Sequence, residues 1–133
     1  MSFRPDAREL LSIARETLMA SLIPALPPEK QYDARMIANA LGIALRELDE
    51  GLETARAELD ELQYLLGPIT LDVSTMTEAE VKDRLHNANR ELVQRIRAGE
   101  LDEGPRGEAL LEHLEKTLER AVAIDNPKAL AGR

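Results

Sequence analysis

The side chains with most chemical potential in this sequence are arginines, carboxylates and one asparagine placed at helical spacing. Arg35, Asn39, Gly42, Arg46 and Asp49 follow one another in steps of four, three, four and three. On an α-helix they line a single face. This stripe crosses the most apolar stretch of the chain, where an unpaired polar group costs about 1 to 3 kcal/mol. One reading is a small-anion site, phosphate-like or of the coenzyme A type. Arg35 and Arg46 would be its charge-assisted donors, Asn39 a neutral one, and Gly42 the point of close approach. The other reading is structural: the arginines pair with acids of another helix, or Arg46 pairs with Glu50, and Asn39 bridges to backbone. A second pattern is acidic. Asp49 and Glu50-x-x-Glu53 are followed, after a spacer, by Glu80-x-x-Asp83. Two such carboxylate faces opposed across a helical bundle can hold Mg²⁺ and a nucleotide diphosphate.

Against the acidic reading stands abundance. Asp and Glu number 25 in 133 residues, so paired spacings arise easily. Glu80 also fits a capping box with Thr77, and Glu50 and Glu53 fall on the charged outer face of their helix. The acidic pattern resembles that of the all-α nucleotide pyrophosphohydrolases, and the resemblance is confined to Glu50, Glu53, Glu80 and Asp83. Other chemistry is sparse. There is no Cys, and the two histidines, His86 and His113, lie on different helices. No phosphate-binding glycine loop or nucleophile elbow is present. The residues imply no cofactor.

These groups must be positioned by helices. Aromatic residues make up 2% of the chain and the hydrophobic fraction is 44%, so the core is aliphatic, which favours helix over strand. Arg4-Pro5-Asp6 opens a first helix, with Pro5 at its first position or Asp6 as its cap. Leu10, Leu11, Ile13, Ala14, Leu18 and Leu22 give it a wide apolar face, and Pro24 ends it. Pro27-Pro28-Glu29 starts a second helix. Its seam of Ala38, Leu41, Leu45, Leu48, Leu52, Ala55, Leu59, Leu62 and Leu66 repeats in threes and fours. Unbroken from 28 to 66, it spans roughly 58 Å. Gly51, about 1 kcal/mol worse than Ala in a helix, is where it could kink. From Met36 to Leu45 the helix is apolar on most sides, which assigns that half to the domain centre and the half from Asp49 to Gln63 to an amphipathic limb.

Gly67-Pro68 stops this helix, and Ile69 to Met76 is a connector with some β character. Thr77 and Glu80 cap a third helix to about Ala98, with Val81, Leu85, Ala88, Leu92 and Ile96 inward and Gly99 near its end. A fourth runs from Pro105 or Glu108 to Ala123, with Leu111, Leu114, Leu118, Ala121 and Val122 inward, and Asn126-Pro127 ends it. The expected fold is therefore all-α, a four-helix-bundle-like domain spanning 1–133 around one long central helix.

The net charge of −8 speaks against nucleic acid and against an anionic membrane surface. The most apolar stretch, ten residues from Met36 to Leu45, is too short to cross a bilayer. The N-terminus has no apolar signal core, so a cytoplasmic location is expected. A helix apolar on most sides in a chain poor in aromatics implies burial against a second copy or a partner protein.

Several blocks carry a resemblance. Arg4-Pro5-Asp6-Ala7-Arg8-Glu9-Leu10-Leu11, Leu26-Pro27-Pro28-Glu29 and Tyr32-Asp33-Ala34-Arg35-Met36-Ile37-Ala38-Asn39-Ala40, with Arg46-Glu47-Leu48 and Asn126-Pro127, resemble an uncharacterised bacterial family of small helical proteins. The likeness runs from about Arg4 to Leu130. Its members look like stand-alone proteins or tails of proteins similar to choline and aminoglycoside phosphotransferases, encoded near acyl-CoA dehydrogenase genes. The resemblance implies an accessory role beside such a kinase or an acyl-CoA pathway enzyme, and it supplies no catalytic residue. The leading expectation is a non-catalytic helical interaction module, oligomeric or bound to such a kinase.

Overall fold

Helix ends are where local sequence decides most, and the computed structural model of the chain, which describes residues 4–67 and 71–132, places them where the caps stand. Asp6 caps helix α1 (Ala7–Thr17): its carboxylate accepts from Glu9 N at 2.9 Å, and Glu9 accepts in turn from Asp6 N at 3.0 Å. The chain then widens into a π-helical turn at Leu18–Leu22 and tightens into a 3₁₀ turn at Ile23–Ala25, where Pro24 removes a donor. Helix α2 runs from Pro28 to Leu66 without interruption, so the helix is not broken at Gly51. Gly67, at φ +118°, leaves the helix in a conformation that L side chains rarely adopt, its N–H donating to Gln63 O at 3.2 Å. Pro68, Ile69 and Thr70 lie outside the described residues. Among its described residues the connector forms a 3₁₀ turn at Val73–Thr75, flanked by Asp72 and Met76 in extended conformation.

Helix α3 (Glu78–Arg97) starts on the expected capping box. Thr77 Oγ1 accepts from Glu80 N at 3.3 Å, and Glu80 accepts from Thr77 N at 2.8 Å. Thr77→Ala should cost about 1 kcal/mol of stability in denaturant unfolding, and loss of helix on the same scale in far-UV dichroism should accompany it. Helix α4 (Gly104–Asp125) has Pro105 in its first turn and ends at Asn126, followed by a 3₁₀ turn at Pro127–Leu130. The described residues are thus all-α, with four α-helices and one of them long. No helix among them is long and apolar enough to cross a membrane.

Packing divides the chain into two units whose boundary falls inside α2, at residues 1–50 and 51–133. The first unit is a helical hairpin. Arg15 of α1 reaches Ala38 of α2 and Arg8 reaches Asp49, so the two helices run antiparallel. Its core is small: Ile23, Ala34 and Ala38, with Leu18 and Leu26 against them. No residue of α1 is buried. Leu10, Ile13 and Leu22 of the expected apolar face stay more than half exposed, as does Ile37 of α2.

The second unit holds the larger core, formed by Leu62, Leu65 and Leu66 of α2, Leu92 of α3, Leu101 of the connection and Leu110 of α4. This reverses the expected roles of the two halves of α2. The stretch Met36 to Leu45 has only the α1 limb and the turn at Ile23 to cover it. The half expected to be an amphipathic limb is met on several sides. The inward face of α4 also differs from the expected one. Leu110, His113 and Ile124 are buried, and Leu111, Leu114 and Leu118 point to solvent. On α3, Val81 and Leu92 are buried and Leu85 and Ala88 packed as expected, while Ile96 is exposed.

Candidate functional site

The polar stripe of α2 is split by its surroundings. Arg35 and Asn39 are exposed, and their side chains lie on open surface. Gly42 is buried beneath α1. Arg15 crosses over it, its Nε donating to Ala38 O at 3.1 Å. A Cβ built on Gly42 would sit 3.2 Å from Arg15 Nε, 3.7 Å from Arg15 Cζ and 3.5 Å from Arg46 Nη1. The glycine is therefore the notch that lets two guanidinium groups approach the same point of the α2 backbone. One turn further on, Asp49 accepts a two-pronged contact from Arg8 of α1. That hydrogen bond, more than the bare charge, holds the Asp49 carboxyl below its ordinary range and raises Arg8. Both groups are open to solvent, so the pair fixes register more than it stabilises.

Of the four sequence-predicted residues, the structure brings Gly42 and Arg46 together and leaves Arg35 and Asn39 outside. It adds Arg15, which periodicity along α2 could not reveal because it comes from another helix. Arg15 also lines a cavity of about 420 Å³ with Ser12, Glu16, Met19, Ala20 and Leu45.

The acidic pattern is not gathered. Glu50 belongs to the first unit, and Glu53, Glu80 and Asp83 to the second. Glu50 and Glu53 are exposed. Glu80 is engaged in the cap of α3. Glu80 and Asp83 do face a common cavity of about 520 Å³, floored by Leu59, Leu66 and Met76. Among the described residues no three His, Cys, Asp or Glu side chains come together as a metal-holding group.

A polar cluster that the sequence did not announce sits in the second unit. His113 of α4 is 4% exposed. Its Nδ1 lies 2.8 Å from Glu61 Oε2 of α2. Arg120, two turns along α4, donates Nη2 to Glu61 Oε1 at 2.5 Å and Nη1 to Oε2 at 3.2 Å. The guanidinium of Arg120, and then the imidazole of His113, hold the Glu61 carboxyl below its usual range against the opposing effect of burial. With the carboxylate ionised and acceptor-only, the His113 bond must be donated by the ring. The spacing 113, 117, 120 was available as a signal, since it marks one helix face. The partner on α2 was not. His113 also borders a pocket of about 210 Å³ with Tyr64, Glu112 and Lys116. No Ser, Thr or Cys lines that pocket, and the cluster ties α4 to α2.

Comparison with known proteins gives a family and nothing finer. No curated protein and no solved structure matches the chain. The matching family span begins at Pro24, after α1, and is shorter than the Arg4 to Leu130 resemblance read from the residues. A family described as a domain of unknown function, DUF6285, matches residues 24–129, and the chain belongs to that family.

Proposed function

We propose that this chain is a non-catalytic helical module that pairs with a second copy of itself through its first unit. The observation that carries the reading is that α1 buries no side chain, although Leu10, Leu11, Ile13 and Ala14 give it an apolar face. A lone helical hairpin has one side only to bury. Two hairpins packed face to face form a four-helix bundle, with apolar side chains of all four helices turned inward. Leu10, Ile13, Met19, Leu22, Met36 and Ile37 are the side chains such a bundle would cover.

A second copy is the occupant because pairing like faces about a two-fold axis needs no other component. The family resemblance would make such a dimer an accessory of a bacterial phosphotransferase-like kinase or acyl-CoA pathway enzyme.

Sedimentation velocity over a dilution series is the test. Wild type should sediment as a dimer that dissociates on dilution. Replacing both Ile13 and Ile37 by Glu should raise the dissociation constant at least about 100-fold, since each buried aliphatic side chain contributes about 1.5 to 3 kcal/mol. Both positions are exposed in the single chain, so the far-UV spectrum of the variant should remain helical. Wild type that stays monomeric at its solubility limit would overturn the proposal. So would a monomer that forms a complex only with a phosphotransferase-like kinase.

A further inference from the structure

We infer that the outer face of α4 docks a basic amphipathic helix of another protein. α4 is apolar on two sides. Leu110 and Ile124 are buried, whereas Leu111, Leu114 and Leu118, spaced three and four apart, are 69%, 41% and 66% exposed. Scattered exposed leucines are ordinary surface. Three in register along one helix make the kind of seam by which helices pair, and this chain turns it to solvent.

The surroundings of the seam say what kind of helix fits it. Glu108, Glu112, Glu115 and Glu119 follow one another in steps of four, three and four, so they form one row along α4 beside the leucines. All four are exposed. Between Glu108 and Glu119 the only lysine or arginine is Lys116, and its Nζ is already held by Glu112 at 2.7 Å. Arg120, one residue beyond, is turned to Glu61 on α2. The row therefore keeps most of its negative charge. A second copy laid on this face by the same surface would bring four more glutamates to the same leucines, and like charges across an interface cost affinity. An anionic lipid surface is repelled for the same reason. A partner helix with apolar residues at the same spacing and lysine or arginine along its flank meets both features. Its apolar side chains cover the leucines, and its cations face the glutamates. The glutamates set orientation and choice of partner more than strength, since ion pairs at an exposed rim gain little. The face lies wholly in the second unit, so the inference does not depend on pairing through the first.

Fluorescence anisotropy at constant physiological ionic strength tests this, with a labelled synthetic peptide of about four helical turns that has leucine in steps of three and four and lysine elsewhere. A second peptide carries glutamate in place of lysine. The lysine peptide should bind wild type in the micromolar range, and replacing both Leu111 and Leu118 by Ser should weaken it at least about tenfold. Replacing both Glu115 and Glu119 by Gln should weaken it about threefold and flatten its dependence on salt. Leu10→Ser, on the exposed side of α1, should bind as wild type does, and the glutamate peptide should not bind. No binding of the lysine peptide would overturn the inference. So would a leucine variant that binds as well as wild type, because charge alone would then explain the contact, or an equal loss in Leu10→Ser. A leucine variant that instead loses self-association, or loses binding to phosphatidylcholine vesicles, would assign the face to a second copy or to lipid and overturn it as well. Both leucines are exposed in the single chain, so the variant should keep its far-UV spectrum. Should it fail to fold, amide shifts of residues 108–121 in wild type on adding the lysine peptide decide instead; shifts there support the docking face, and their absence overturns it.

Discussion

Leu62→Ala should lower the unfolding free energy by about 3 to 4 kcal/mol, while Leu118→Ala should change it by less than about 0.5 kcal/mol. Both residues are leucines at seam positions of a helix, and composition does not distinguish them. Leu62 is fully buried and packs among Leu65, Leu66, Leu92, Leu101 and Leu110. Removing its side chain deletes buried methyl groups and leaves a cavity that a close-packed core only partly refills. Leu118 is two-thirds exposed and loses little on truncation. Denaturant unfolding followed by far-UV dichroism checks both, with unchanged slope as the sign that the compactness of the end states has not altered. Comparable losses for the two variants would mean that α4 turns the other way, with Leu111, Leu114 and Leu118 inward.

Glu61→Ala should be the next most damaging change, at about 2 to 3 kcal/mol, because it leaves Arg120 and the buried imidazole of His113 without their shared acceptor. The same contact gives a pH dependence whose direction follows from the Glu61 shift. Its carboxyl is held lower in the folded chain than in the unfolded one, by Arg120 first and His113 after it. The folded state therefore binds fewer protons there. The contribution is fully present above the ordinary carboxylate range and is lost as pH falls through the depressed folded value. Melting temperature measured from neutral to strongly acidic pH should fall more steeply for wild type than for Glu61→Gln, which has no charge to lose at that position. Parallel curves for the two proteins would show that the pair does not contribute. Part of Glu61 meets water, so screening by salt should flatten the difference.

These two cases show where the sequence was informative and where it was not. The helix ends were legible because caps are local: Asp6 with Glu9, Thr77 with Glu80 and Pro28 each act on backbone groups within one turn. The length of α2 was legible because its seam repeats over many turns. The direction in which a helix faces was legible on α3, where Val81, Leu85, Ala88 and Leu92 turn inward, but not on α4. On α4 two stripes compete, Leu111-Leu114-Leu118 and Leu110-His113-Thr117-Arg120-Ile124, and a count of apolar residues favours the first. The second faces inward because Glu61, on a different helix, accepts from His113 and Arg120 of that stripe, although the Thr117 hydroxyl stays buried without a partner among the described residues. The weighting of α2 failed for a related reason. Met36 to Leu45 reads as a centre by composition, yet the chain supplies only α1 and one turn to cover it. For the candidate site, Gly42 and Arg46 could be found from spacing along one helix, whereas Arg15 required knowing which helix crosses them.

The uncovered face of α1 bears on how long the chain lasts. Opening a helix that buries no side chain breaks backbone hydrogen bonds and the Arg8 and Arg15 contacts but removes no core, so its amides should exchange with solvent well before those of α3 or α4. A trypsin-like protease would find Arg8 and Arg15 in that segment. Pairing of two copies would close it. The concentration of the protein would then set its own half-life, with dilute chains trimmed and crowded ones protected.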